Sequence, residues 1–330
     1  MSTRIRWGIL GTGRIAGEFA EGLQQIETAE LRSVASRRQE TADAFASKFG
    51  AAHAYPDYQR LAEDPEVDVV YVATPHSLHC ENTLLCLKAG KAVICEKPFA
   101  VNTAQVAKMI HVAQNQNCFL MEAMWMRFIP LIREARRLIS SEAIGDVRMI
   151  QADFGFRVPF NPEGRLFDVS LAGGALLDVG IYPLAFSAMF LGEPKEIVSL
   201  PTLGETGVDE QSAYVLRHEE GQLSVLSSAV RTHTSQSAWI YGTKGRIHFH
   251  THFWKAQEMT IFVDGCEPEV VSMPFSGNGY QFEAQEVMDC IHAGKLESDI
   301  MPHSESVTLM RTMDRIRDQW GLKYPMESVN

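Results

Sequence analysis

The stretch Arg4–Gly17, RIRWGILGTGRIAG, sets an apolar strand directly against a glycine-rich turn and the start of a helix. A chain that opens this way is committed to a strand-turn-helix unit. Gly11 allows the tight turn, Gly13 lets the backbone approach a pyrophosphate, and Ala16 takes the third small position, where helix and strand pack closely. Phosphates would lie on the helix N-terminus, where free N–H groups and the helix dipole favour negative charge. The cofactor-binding positions in this turn are therefore Gly11, Thr12, Gly13, Arg14 and Ile15. Behind them Ile15, Phe19 and Leu23 recur on one helical face, as a helix packed on a sheet requires.

The end of the second strand bears on which dinucleotide is bound. An NAD site usually places an Asp or Glu about 20 residues on, to bond the ribose hydroxyls. After the strand at 31–35 this chain instead carries Ser36, Arg37 and Arg38. Two guanidiniums and a hydroxyl suit a 2′-phosphate, so NADP is favoured over NAD. The competing reading makes Arg37 and Arg38 solvated residues at the start of a surface helix.

At 330 residues the length suggests two domains, each with its own core. The net charge of −11, with no basic stripe, argues against nucleic acid and anionic membranes as partners. No apolar run approaches the ~20 residues needed to span a bilayer, and the N-terminus shows no signal-peptide pattern. The six cysteines form no C-x-x-C pair, which fits reduced thiols in a cytoplasmic protein.

Along the first third, strands alternate with helical stretches. Strands are expected at 52–55, 67–73, 92–95 and 119–122, and helices at 41–49, 78–89 and 103–115. The run VDVVYVA is β-branched and apolar almost throughout, as a central parallel strand covered on both faces should be. The fold class is α/β: a Rossmann doubly wound parallel sheet over 1–124, then an α+β domain with an open, mostly antiparallel sheet over 125–330. In 246–254 the alternation sets Ile247, Phe249 and Phe253 on one side and His248, His250, His252 and Trp254 on the other. Neither face is simply polar, so a homodimer through the C-terminal sheet is expected. The H-x-H-x-H run is compatible with a metal, but no carboxylate or cysteine pattern accompanies it, and none is expected.

Ligands of open α/β sheets bind outside the C-terminal strand ends. Clusters fall there at Thr74, Pro75, His76 and His79, and at Glu96, Lys97 and Pro98. A lysine leaving an apolar strand end, fixed by a following proline, is placed to face a nicotinamide. In the second domain Asp178 and Tyr182 stand four apart in GGALLDVGIY, sharing one face of a helix over 175–191. Gly180 within that helix implies a close approach, either of a ligand or of packed structure. Trp125, Phe154, Phe156 and Trp254 offer stacking surfaces for a ring with an apolar face.

The segments GILGTGRIA, ATPHSLH, CEKP and GGALLDVGIY, in this order and spacing, resemble the glucose-fructose oxidoreductase and inositol dehydrogenase family, Gfo/Idh/MocA. EAMWMRF, ETGVD and YGTKG resemble its dimeric dihydrodiol dehydrogenase branch, which includes NADP-dependent D-xylose dehydrogenases. The resemblance implies that Lys97 is the active-site lysine, often followed by a cis bond to proline, and that Asp178 and Tyr182 complete the catalytic set. It also implies that His79 and Trp125 line the substrate pocket and that Arg127 lies near the cofactor.

The implied reaction moves a hydride between NADP and a hydroxyl-bearing carbon of a sugar, polyol or trans-dihydrodiol. A tyrosine is a poor base at its ordinary pKa of about 10, and a nearby ammonium favours its phenolate. Lys97 would do this for Tyr182, with Asp178 keeping the lysine protonated; either Tyr182 or Lys97 takes the proton. The alternatives are a reductase of a keto or anhydro sugar and a non-catalytic NADP-binding regulator.

Overall fold

The computed structural model describes residues 4–328, and its first strand is the one that the glycine turn predicts. Unit 1 carries the chain to Phe128 and takes back Ser276–Val307. Its six strands are β1 (Ile5–Leu10), β2 (Ala29–Ala35), β3 (His53–Tyr55), β4 (Val69–Val72), β5 (Ala92–Glu96) and β6 (Leu120–Ala123). They pair in parallel in the order β3-β2-β1-β4-β5-β6. This is the doubly wound order whose switch point lies between β1 and β4. The crossovers are α1 (Arg14–Leu23), α2 (Gln39–Phe49), the short α3 (Tyr58–Ala62), α4 (His79–Lys88) and α5 (Thr103–Gln116).

Local chemistry sets several of these boundaries. Asp57 and Asn102 accept the amide N–H groups of Arg60 and Gln105 at 2.9 Å, capping α3 and α5. Gly50 ends α2 in the left-handed conformation. Every residue of β4 is buried, as a strand covered on both faces requires.

The expected division at 124/125 differs from the structure, because α8 (Tyr280–His292) belongs with unit 1. Tyr280 stacks on Trp125 with centroids 4.7 Å apart, and Asn278 Nδ2 donates to the Glu18 carbonyl at 2.7 Å. Farther on, the His303 ring meets the Leu120 carbonyl at 2.9 Å. These contacts join residues more than 150 positions apart and leave no local pattern in the sequence.

Unit 2 comprises Ile129–Phe275 and the chain from Thr308 on. It begins with α6 (Pro130–Ser140), whose proline stands at the first helical position. Strands β7 (Val147–Gly155), β8 (Glu196–Leu203), β9 (Asp209–Arg217), β10 (Leu223–Ala229), β11 (Ala238–Gly242), β12 (Gly245–Phe249), β13 (Glu258–Val263) and β14 (Glu269–Ser272) form one sheet. The order is β14-β13-β12-β11-β7-β10-β9-β8, and every pair is antiparallel except β7 with β10. Ile150, Ala152, Leu216, Leu226, Ile240 and Ile247 are buried on one face. α7 (Ile181–Leu191) packs on β7 and β10, and α9 (His303–Trp320) enters this unit at Thr308.

The other face of the sheet is open. Val198, Val215 and Val225 stand in register across β8, β9 and β10, and Val198 and Leu200 are 70% and 77% exposed. The strand expected to run to Trp254 stops at Phe249, and His252 turns into the left-handed region. Trp254 therefore leaves the row of His248 and His250, and its ring packs against Phe154. Contrary to the sequence expectation, the helical stretch Val169–Leu191 is long and apolar enough to cross a membrane by length and composition. It lies in the interior, with 83% of its apolar window buried.

Candidate active site

The glycine turn has the shape that a dinucleotide phosphate needs. Gly11 sits at φ +105°, and a Cβ there would meet the Ala73 carbonyl at 2.7 Å, so the turn fits against β4 only as glycine. A Cβ on Gly13 would meet nothing within 4 Å, which leaves space in front of the first turn of α1. No side chain caps that turn, so its N–H groups face the space. Thr12 and Arg14 line a crevice of about 520 Å³ shared with Thr41 and Lys48.

Beside it the hydroxyls of Thr12, Ser36 and Thr41 form a chain, with Thr12 to Ser36 at 3.0 Å and Ser36 to Thr41 at 2.6 Å. Arg37 and Arg38 are exposed next to that chain. Thr41, which the sequence reading passed over, belongs to the cluster through a contact made five residues away. The residues present fit an NADP cofactor: the N–H groups of α1 could hold a pyrophosphate, and Ser36, Arg37 and Arg38 could hold a 2′-phosphate.

Lys97 is half-buried on a turn whose neighbours are all buried. Three contacts fix this turn. Tyr71 Oη donates to Glu96 Oε1, the Phe99 amide donates to Glu122 Oε1 at 3.0 Å, and His79 Nδ1 meets the Pro98 carbonyl at 2.7 Å. The Lys97–Pro98 bond is cis. Burial raises the carboxyl of Glu96, with Lys97 opposing the shift, and pushes that of Glu122 up to about 7.

His79 Nε2 also meets the Thr74 carbonyl at 2.8 Å, while Asn82 Nδ2 donates to Thr74 Oγ1 at 3.1 Å. Burial pushes the His79 pKa down to about 4 against the pull of both carbonyls, and a neutral ring would donate to only one of them at a time. The structure thus gives His79 the place of a strut between the ends of β4 and β5. Of the other predicted positions here, Pro75 and His76 are half-buried and Thr74 is buried. Trp125 is buried against Tyr280, and Arg127 Nη1 pairs with Glu305 at 3.1 Å, both contacts that hold the C-terminal return of unit 1.

In unit 2, Asp178 lies on a π-helical turn, Leu176–Gly180, that runs into α7. Such one-turn insertions occur frequently at functional sites. Asp178 and Tyr182 therefore stand on either side of the junction between the π turn and α7, not within one regular α-helix. Arg165 Nη1 donates to Asp178 Oδ1 at 2.8 Å, a partner that the sequence reading missed. Phe154 and Trp254 stack with centroids 3.6 Å apart and planes within 10°, and their centroids lie 5.4 and 6.1 Å from that of Tyr182. A flat aromatic wall thus stands next to the Tyr182 phenol.

Gly180 is explained by packing. A Cβ there would come within 2.5 Å of Tyr214 Oη and 2.9 Å of Ser228 Oγ. In a free helix Gly→Ala gains about 1 kcal/mol, whereas overpacking costs ~1–3 kcal/mol. The clash wins, so Gly180→Ala should lower the melting temperature, and Tyr214→Phe in the same chain should recover part of the loss. A rise in melting temperature for Gly180→Ala alone would contradict this.

His248, His250 and His252 do not gather as a ligand set. His248 stacks on Trp239 at 3.9 Å, and His250 Nε2 bonds Thr260 Oγ1 at 3.0 Å. Among the described residues His53, Asp64 and Glu66 bring ligand atoms within 4.8 Å of one another. Those carboxylates already accept from Ser33, Tyr55 and Arg32.

Comparison with known proteins agrees with this geometry. Residues 5–124 match the GFO/IDH/MocA oxidoreductase family model with its NAD-binding Rossmann fold, and residues 132–248 match the GFO/IDH/MocA C-terminal domain. The chain is 39% identical to trans-1,2-dihydrobenzene-1,2-diol dehydrogenase of Xenopus laevis, over 97% of this chain and 99% of that one. Two solved structures share the fold at 25% identity. One is an aldose-aldose oxidoreductase from Caulobacter crescentus complexed with glycerol, with a TM-score of 0.87 over 97% of this chain and 98% of that one. The other is a 3-ketoreductase from Actinomadura kijaniata in complex with NADP and TDP-benzene, with a TM-score of 0.85 over 96% and 98%. From the glycine turn through the C-terminal sheet, this chain belongs to the GFO/IDH/MocA family of NAD(P)-dependent oxidoreductases.

Proposed function

We propose that the protein is an NADP-dependent dehydrogenase acting on a CH–OH carbon, with trans-dihydrodiols as its first substrate class and sugars or polyols next. The observation that carries this reading is the Phe154–Trp254 wall beside Tyr182. A ring with an apolar face and hydroxyls at its edge fits such a wall and a phenol together. The name of the Xenopus laevis relative adds weight to the dihydrodiol class.

When bound, NADP⁺ supplies the hydride acceptor. The helix N–H groups behind Gly13 hold the pyrophosphate, and Ser36, Arg37 and Arg38 hold the 2′-phosphate. Lys97 provides an ammonium that stabilises negative charge on the reacting oxygen. Tyr182 acts as a phenolate that accepts the hydroxyl proton at Oη in oxidation, and as a phenol that gives it back in reduction. Asp178, oriented by Arg165, completes the set. A panel of trans-dihydrodiols, aldoses and inositols with NADP⁺ tests this: NADPH should form with the dihydrodiols. Tight NADP⁺ binding with no turnover in either direction would favour a regulatory role instead.

The open sheet face supports a homodimer. Its exposed valines run in register, and an apolar face of this kind is a characteristic mark of an interface. Sedimentation should give a dimer mass, and the paired substitutions Val198→Glu and Val225→Glu should give a monomer. A monomeric wild type would rule the interface out. Six unpaired cysteines suit a reducing compartment such as the cytoplasm.

A further inference from the structure

The ETGVD segment ends in Asp209, the first residue of β9, which is fully buried. Asp209 Oδ2 accepts the amide N–H of Leu176 at 2.7 Å. Leu176 is the first residue of the π-helical turn that carries Asp178, and that turn has no side-chain cap of its own from Ala175. A carboxyl oxygen from a strand residue 33 positions away thus caps this helix start. Asp209 Oδ1 occupies the space where a Cβ of Gly174 would stand, and Gly174 sits at φ +118°, a conformation that glycine adopts most readily.

A second clamp comes from the C-terminus. Tyr324 Oη donates to the Gly173 carbonyl at 2.8 Å. The turn that presents Tyr324 is itself held. Its amide donates to Glu327 at 2.7 Å, and the buried Arg317 grips the same carboxylate at 2.8 and 2.9 Å with its guanidinium over the Tyr324 ring. Gly173 and Gly174, the flexible start of the GGALLDVGIY segment, are therefore pinned from both sides within unit 2.

We propose that Asp209 and Tyr324 are positioning residues for the reaction: together they fix the start of the π turn and so the placement of the Asp178 carboxyl and the Tyr182 hydroxyl. This rests on the reading of Asp178 and Tyr182 as catalytic groups. Neither Asp209 nor Tyr324 is assigned contact with substrate or cofactor. Their effect should appear in kcat, because a misplacement of about 1 Å can cost ~10²-fold in rate while leaving binding nearly intact.

The test compares kcat, KM for a trans-dihydrodiol, NADP⁺ affinity and melting temperature in wild type, Asp209→Ala, Asp209→Asn, Tyr324→Phe and Tyr182→Phe. Tyr324→Phe loses only one hydroxyl and should fold; kcat should fall about tenfold, with KM and NADP⁺ affinity within about threefold of wild type. Asp209→Ala should fall ~10²-fold, and Asp209→Asn, whose amide oxygen can still accept from Leu176, should recover most of that loss. Should Asp209→Ala fail to fold, Tyr324→Phe decides alone. Wild-type kcat in Tyr324→Phe, with Tyr182→Phe inactive, would overturn the proposal by itself. Wild-type kcat in Tyr182→Phe would overturn the reading of the catalytic groups, and the proposal with it.

Discussion

Lys97→Met should reduce turnover by ~10³-fold or more while NADP⁺ affinity stays within about threefold of wild type. One preorganised donor to a developing oxyanion is worth ~10²–10³ in kcat, and help with proton transfer contributes a further factor of ~10²–10⁴; the factors multiply, so ~10³-fold is the least expected loss. The fold should survive. The turn is held by Tyr71 on Glu96, His79 on Pro98 and Glu122 on Phe99, and none of these contacts uses the Lys97 side chain. Methionine also keeps the length and much of the packing of the lysine stem. Equilibrium binding of NADP⁺ and steady-state kinetics separate the outcomes. Lost affinity with retained kcat would make Lys97 a cofactor-binding residue rather than a catalytic one.

The second large effect concerns cofactor choice. Arg37→Ala together with Arg38→Ala should weaken NADP⁺ by ~10²–10⁴-fold and leave NAD⁺ within about threefold. Each charge-assisted bond to the 2′-phosphate contributes ~1.5–3 kcal/mol, and NAD⁺ makes neither. Both side chains are exposed, so their removal should cost the fold little. Titration with each nucleotide gives the answer directly. An equal loss for NAD⁺ would place the arginines elsewhere on the dinucleotide, and no loss for either would return them to solvent.

Much of this architecture was legible in local sequence, because short-range rules govern it. The β-branched run of β4, the proline at the start of α6 and the glycine turn before α1 each specify their element through sterics or hydrogen bonding within a few residues. The cis Lys97–Pro98 bond also matches what the family resemblance implies.

What stayed hidden depends on contacts between distant positions. Nothing near Tyr280 says that it stacks on Trp125, so α8 reads as part of the second domain when it belongs with the first. The apolar pattern of 175–191 is the same for an α and a π turn, and it takes the Asp209 cap and the Tyr214–Ser228 packing to show the local winding and the reason for Gly180. His79 has the residue type and strand-end position of a ligand contact. Only its two carbonyl partners, 5 and 19 residues away, reveal the strut. Arg165 lies in a loop without periodicity, 13 residues before the Asp178 that it pairs with.

The most direct test of the central claim follows the hydrogen. A trans-dihydrodiol carrying deuterium on its carbinol carbons is incubated with the protein and NADP⁺, and the reduced cofactor is isolated for mass spectrometry and NMR. The account predicts one deuterium at nicotinamide C4, on a single face, with the isolated product oxidised at the carbon that lost it. Deuterium released to water, or product formed without reduced cofactor, would contradict it.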